Sequence, residues 1–109
     1  MNAQSKLSMV KTSLGIAPDD VSIDSDLYTY LDMAGIEILN WMYINHQSER
    51  EEVTEVPLRY EITQINAVVN GYSHRGAEGE KVHNENGINR QFVYGDMVDY
   101  IRSNVFQLI

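Results

Sequence analysis

At 109 residues the chain is one domain by length, and it is long enough to bury a core without covalent staples. It contains no cysteine, which excludes disulfides, thiolate metal sites and a cysteine nucleophile. The formal charge of −8 is concentrated in residues 19–61, where eleven acids face two bases, and no basic stripe is present to hold nucleic-acid phosphates.

In chain order, Leu7, Val10 and Leu14 fall at steps of three and four, and Gly15 then stops a short first helix. An acidic connection follows. Asp24, Ser25 and Asp26 supply a cap and first-turn acids for a longer second helix, where the helix dipole favours negative charge. Its stripe is Leu27, Leu31, Ala34, Ile38 and Trp41. The polar stretch from Asn45 to Val56 is expected to be a surface loop. Pro57 is tolerated in the opening turn of a third helix, whose stripe is Leu58, Ile62, Ile65, Val69 and Tyr72.

The run from Arg75 to Phe92 is polar and punctuated by glycine. Gly76 and Gly79 are placed to end the preceding helix, since glycine adopts the left-handed stop without strain. Asn86-Gly87 is a strong signal for a tight hairpin turn, so Glu80–Asn84 and Ile88–Phe92 are expected to pair as a small ribbon. Such a ribbon is marginal alone in water and would seek a partner surface. A fourth helix then closes the chain, with Asp96 as its cap and Val98, Ile101, Val105 and Leu108 as its stripe. The expected fold is mostly α: a small four-helix bundle over residues 1–109, with a polar loop or β-hairpin insert protruding over 75–95 between the third and fourth helices.

Catalytic signals are absent from the sequence. His46, His74 and His83 lie in expected loops or helix ends, and none is paired at the spacing of a helical zinc site. Asp19, Asp20, Asp24 and Asp26 lack the spacing and the distal glutamate of a calcium loop. Glu49, Glu51, Glu52 and Glu55 read as a solvated charge run. No nucleophile elbow, phosphate loop or dinucleotide fingerprint occurs, so neither an enzyme nor a cofactor is expected. No run approaches the roughly 18 apolar residues of a membrane span, so no membrane partner is expected and the chain reads as soluble and intracellular when made. The aromatic residues are numerous for so small a bundle. Trp41 falls on a stripe and is expected in the core, whereas Tyr28, Tyr43 and Tyr60 fall off theirs and suit either a boundary or an interface.

The segment G-A-E-G-E-K, a few polar residues, then N-G-I-N-R and an aromatic resembles the late region of the gp6-like head–tail connector proteins of tailed phages. The likeness runs nearly the whole length, from the L-G-I at Leu14–Ile16 to the last helix. It implies a structural virion protein without catalysis, made in the bacterial cytoplasm and placed at the head–tail interface. It implies three partners: the portal protein, the next head-completion or tail-proximal protein, and further copies of the chain in a ring matched to portal symmetry. DNA would be passing cargo, and an acidic wall would suit that passage. The positions matching the family segment are Gly76, Glu78, Gly79, Glu80, Lys81, Gly87, Ile88 and Arg90, which the resemblance implies make assembly contacts. Phe92 and Tyr43 join them as interface candidates. The alternative from a different class is a small helical regulatory or adaptor module, such as an antitoxin or transcriptional regulator.

Overall fold

A computed structural model describes the backbone of residues 1–75 and 87–109, and the side chains of 1–73 and 93–109. Five helices appear in the order α1 (Ala3–Leu14), α2 (Asp24–Met42), α3 (Gln47–Arg50), α4 (Leu58–Arg75) and α5 (Gly87–Asn104), and there is no strand among the described residues. The mostly helical expectation therefore holds, with four long helices and a single turn, α3, inside the expected loop.

Helix α1 begins where the Asn2 side chain accepts the Ser5 N–H at 2.8 Å, satisfying one of the free first-turn donors. It ends at Gly15, whose φ of 75° is the left-handed stop expected there. The N–H groups of Gly15 and Ile16 close on the carbonyls of Thr12 and Lys11. Helix α2 starts without a side-chain cap at Ile23. Asp24 instead opens the helix and reaches Lys11 Nζ at 2.8 Å, fastening α1 to α2 through a mostly buried lysine that also donates to the Pro18 carbonyl.

The core lies among the four long helices. Leu27, Ile38, Met42, Ile65, Met97, Ile101, Val10, Val68 and Val93 are its largest fully buried side chains. Helix α4 is central, packing on α1, α2 and α5, with its most extensive contact against α5. Gly71 makes that approach possible. A Cβ there would stand 2.7 Å from the Val93 carbonyl oxygen and 3.0 Å from Met97 Cγ, closer than real contacts allow. At the next residue of α4, the rings of Tyr72 and Tyr30 meet at 5.9 Å and 53°.

Four expectations are corrected. Gly87 opens α5, so Ile88–Phe92 is helix and does not form the second strand of a hairpin. Residues 87–95 of the expected protrusion are therefore helical, and residues 76–86 lie outside the described residues. Asp96 sits inside α5 and does not cap it. The helix grows further back because Val93, Met97 and Ile101, each four residues apart, give it a buried stripe against the other helices. The stepping from Val98 to Leu108 does not end as helix: α5 stops at Asn104, and Val105–Ile109 form an irregular strap. Finally, Leu58 and Ile62 of the expected α4 stripe are 79% and 47% exposed.

Candidate assembly surface

The rotation of α4 has a local cause. Gln64, buried, accepts Lys6 Nζ at 2.6 Å through Oε1 and donates to the Leu31 carbonyl at 2.7 Å through Nε2. One side chain thus ties α1, α2 and α4 together. Glu61, also buried, stands 3.8 Å from Lys6 Nζ and accepts from the Met1 amino group at 3.2 Å. Gly35 leaves the room for this arrangement, since a Cβ there would meet Gln64 Nε2 at 3.0 Å. Breaking the set would strand a half-buried lysine and a buried backbone carbonyl, at about 1–3 kcal/mol for a buried unpaired group. The junction floors an open cleft of about 670 Å³ whose walls mix Asp32, Arg50, Glu51 and Glu55 with Ile36 and Val53.

With Glu61 and Gln64 turned inward, the first half of α4 exposes Leu58 and Ile62, four residues apart on successive turns and roughly 110° round the helix from that pair. Tyr60 lies between them in sequence but turns in. It is buried, its hydroxyl accepts the Phe106 N–H at 3.0 Å, and the Arg59 guanidinium covers its ring at 5.0 Å. The Phe106 side chain itself is 83% exposed. Beside Met1, Met9, Val21, Ile36, Ile44 and Ile109, the described residues therefore present Leu58, Ile62 and Phe106 to solvent as large apolar side chains. Two stand on one helix face, and the third lies on the strap tied to that helix.

Of the sequence-derived candidates, Gly76, Glu78, Gly79, Glu80 and Lys81 lie outside the described residues. Gly87, Ile88, Arg90 and Phe92 fall in the first turns of α5, where only the backbone is described. Tyr43 is half-buried against the core at the end of α2, with its N–H on the Leu39 carbonyl. Trp41 is half-buried rather than fully in the core. Its indole N–H donates to the Val105 carbonyl at 3.0 Å, and Arg102 stacks on its ring at 5.0 Å. Sequence reasoning missed Leu58 and Ile62 as surface residues. The only sequence signal was that Glu61 and Gln64 share a face of the same helix.

Electrostatically, Asp19, Asp20, Asp32, Glu49, Glu51, Glu52 and Glu55 are all exposed, so the acidic middle of the sequence is an acidic surface. Asp20 is held below the usual carboxylate range by the Ser22 hydroxyl, which donates at 2.7 Å, and by the Ser22 N–H at 3.1 Å. The Tyr94 hydroxyl donates to the Glu37 carboxylate, linking α5 to α2; that bond pushes the phenol up to about 12. Among the described residues no group of three or more His, Asp or Glu side chains could hold a metal ion. No helix among them is long and apolar enough to cross a membrane.

Residues 4–103 match the family model described as Phage gp6-like head-tail connector protein. No curated protein and no solved structure matches the chain.

Proposed function

The chain belongs to the phage gp6-like head–tail connector family, a family of structural virion proteins, and from that premise we propose that it is a ring-forming subunit that docks on the portal and extends the DNA conduit towards the tail. The observation that carries this reading is the exposed pair Leu58 and Ile62, on successive turns at the start of α4. Isolated exposed apolar residues are common, but paired ones on one face of a regular helix mark a surface that another protein covers. The acidic surface supports the same reading. Like charge weakens adhesion of DNA to the wall of a passage, so strands would slide without being held.

In this reading α4 supplies a rigid, preformed face. Gly76, Glu78, Gly79, Glu80, Lys81, Gly87, Ile88, Arg90 and Phe92 supply further contacts to neighbours at the junction of α4 and α5, and Tyr43 supports them from the end of α2. Arg90 stands among few bases in the second half of the chain, so Arg90→Glu should weaken contact with an acidic neighbour while leaving helicity unchanged. The test of the proposal is sedimentation of the purified chain with and without its portal protein. A portal-dependent complex containing many copies is expected. A chain that stays monomeric beside the portal, or that binds duplex DNA below micromolar concentration with steep salt dependence, would overturn it.

A further inference from the structure

Two surfaces of the body keep unserved charge beside exposed aliphatic area. The first is the cleft of about 670 Å³ between α2, α4 and the stretch that follows α3. Ile36 lines it and is 51% exposed. Its side-chain cations are engaged, Lys6 with Gln64 and Glu61, and Arg50 with Asn40 and the Val53 carbonyl. Three of its acids are not. Asp32, Glu51 and Glu55 are exposed, and no ion pair among the described residues reaches any of them.

The second surface is the strip of α4 formed by Leu58, Arg59 and Ile62. Leu58 and Ile62 are largely open to solvent, and Arg59 is exposed beside them. The Arg59 guanidinium rests on the Tyr60 ring at 5.0 Å, and no carboxylate among the described residues pairs with it. One surface is thus a helix ridge, aliphatic and cationic. The other is a cleft, aliphatic and anionic.

They cannot meet within one chain. Glu61 and Gln64 line the cleft, while Leu58 and Ile62 stand roughly 110° round the same turns of the same helix. Neither surface suits a copy of itself. Strip on strip sets Arg59 against Arg59, and cleft on cleft sets acid against acid, and like charges brought together at an interface are costly. We propose that the α4 strip of one copy seats in the cleft of the next, with Leu58 and Ile62 against Ile36 and with Arg59 among Asp32, Glu51 and Glu55. The contact is head-to-tail. Each copy gives its strip to one neighbour and its cleft to another, and repetition closes a ring where the rotation allows. This assignment rests on the reading of the chain as a ring subunit and adds to it the two surfaces that meet.

The chain has no cysteine, so introduced thiols are the only ones it offers. Ile36→Cys and Ile62→Cys place one on each surface, at exposed positions. The full chain is mixed with its portal protein, treated with a short bismaleimide and resolved on a denaturing gel. Neither single variant should cross-link to itself. An equimolar mixture of the two should give a dimer, and the chain carrying both cysteines should give a ladder beyond the dimer. Adding Arg59→Glu to that chain should lower the yield about fivefold, the upper size of an exposed ion pair, and Glu51→Arg with Glu55→Arg should restore most of it. Sedimentation of the same samples separates two kinds of failure. A portal-bound multimer that lacks the mixed cross-link, cross-links a single variant to itself, stops at the dimer with both cysteines or ignores Arg59→Glu overturns this contact and leaves the ring reading standing. A chain that forms no multimer on the portal overturns both.

Discussion

Helix α2 buries an apolar face from Leu27 to Met42 and leaves Ile36 exposed, whereas the first half of α4 buries Glu61 and Gln64 and leaves Leu58 and Ile62 in solvent. The two helices cross the same core, so the difference lies in their neighbours. Along most of α2 the core partners are apolar, with polar contacts that include the Leu31 carbonyl, Glu37 and Asp24. Beside the start of α4 stand the Lys6 ammonium and the Leu31 carbonyl, which ask for partners. An unpaired polar group costs more than one aliphatic side chain gains by burial on a domain's rim, so pairing fixes the rotation of the helix. The apolar residues displaced by that choice, Leu58 and Ile62, are left exposed to solvent.

The comparison is broken most severely by moving one charge between the faces of α4. Ile65→Asp places an unpaired carboxylate in the core, at several kcal/mol against a total stability of about 5–15, and the helical circular dichroism signal should be lost at 25 °C. Ile62→Asp, three residues away, should melt within about 0.5 kcal/mol of wild type. If Ile62→Asp unfolds the chain, the exposed face is core and the comparison fails.

Next in size is the polar junction. Gln64→Met keeps the volume and removes both hydrogen bonds, so thermal or urea unfolding should show a loss of about 1–3 kcal/mol. A neutral outcome would mean that Gln64 does not set the helix rotation. The α4–α5 seam is sharpened by a pair of glycines. Gly71→Ala must push against the backbone of Val93; overpacking of about 1–3 kcal/mol outweighs a helix-propensity gain of about 1 kcal/mol, and the melting temperature should fall. Gly95→Ala, with nothing within 4 Å of the added carbon, should raise it.

The smallest effect is alkaline. Tyr94 is raised in the folded chain to about 12 by its bond to Glu37, while an unfolded tyrosine titrates near pH 10. The stability this bond brings is complete below about pH 10 and is lost as pH rises towards 12. Unfolding followed from pH 9 upward should therefore steepen in wild type, and Tyr94→Phe should remove that share of the slope.

Much of the fold is legible in local pattern. The Gly15 stop and the buried positions from Leu27 to Ile38 follow from residue spacing and a single left-handed glycine, because both are decided within one helix. What escapes is decided between helices. Leu58 and Ile62 step as regularly as Leu27 and Leu31, yet their exposure depends on Lys6, over fifty residues away in the chain. Tyr60 falls off the apolar stepping but is buried because its hydroxyl can serve Phe106. Asn86-Gly87 carries a strong local turn signal, and the helix that starts at Gly87 gains its support from Val93, Met97 and Ile101 packing within the core. The strap misleads in the opposite sense, since Val105 and Leu108 continue a helical step after the helix has ended. Of the candidate assembly residues, Tyr43 proves half-buried, and the exposed α4 pair required the structure to find.

The central claim is that Glu61, Gln64 and Ile65 of α4 hold the domain together while its exposed Leu58 and Ile62 hold the proposed assembly together. The most direct measurement is the double variant Leu58→Asp/Ile62→Asp, carried through a thermal melt and then through sedimentation with the portal protein. A melting temperature close to wild type together with loss of the portal complex is the predicted result. A folded double variant that still joins the portal in wild-type amounts would contradict it.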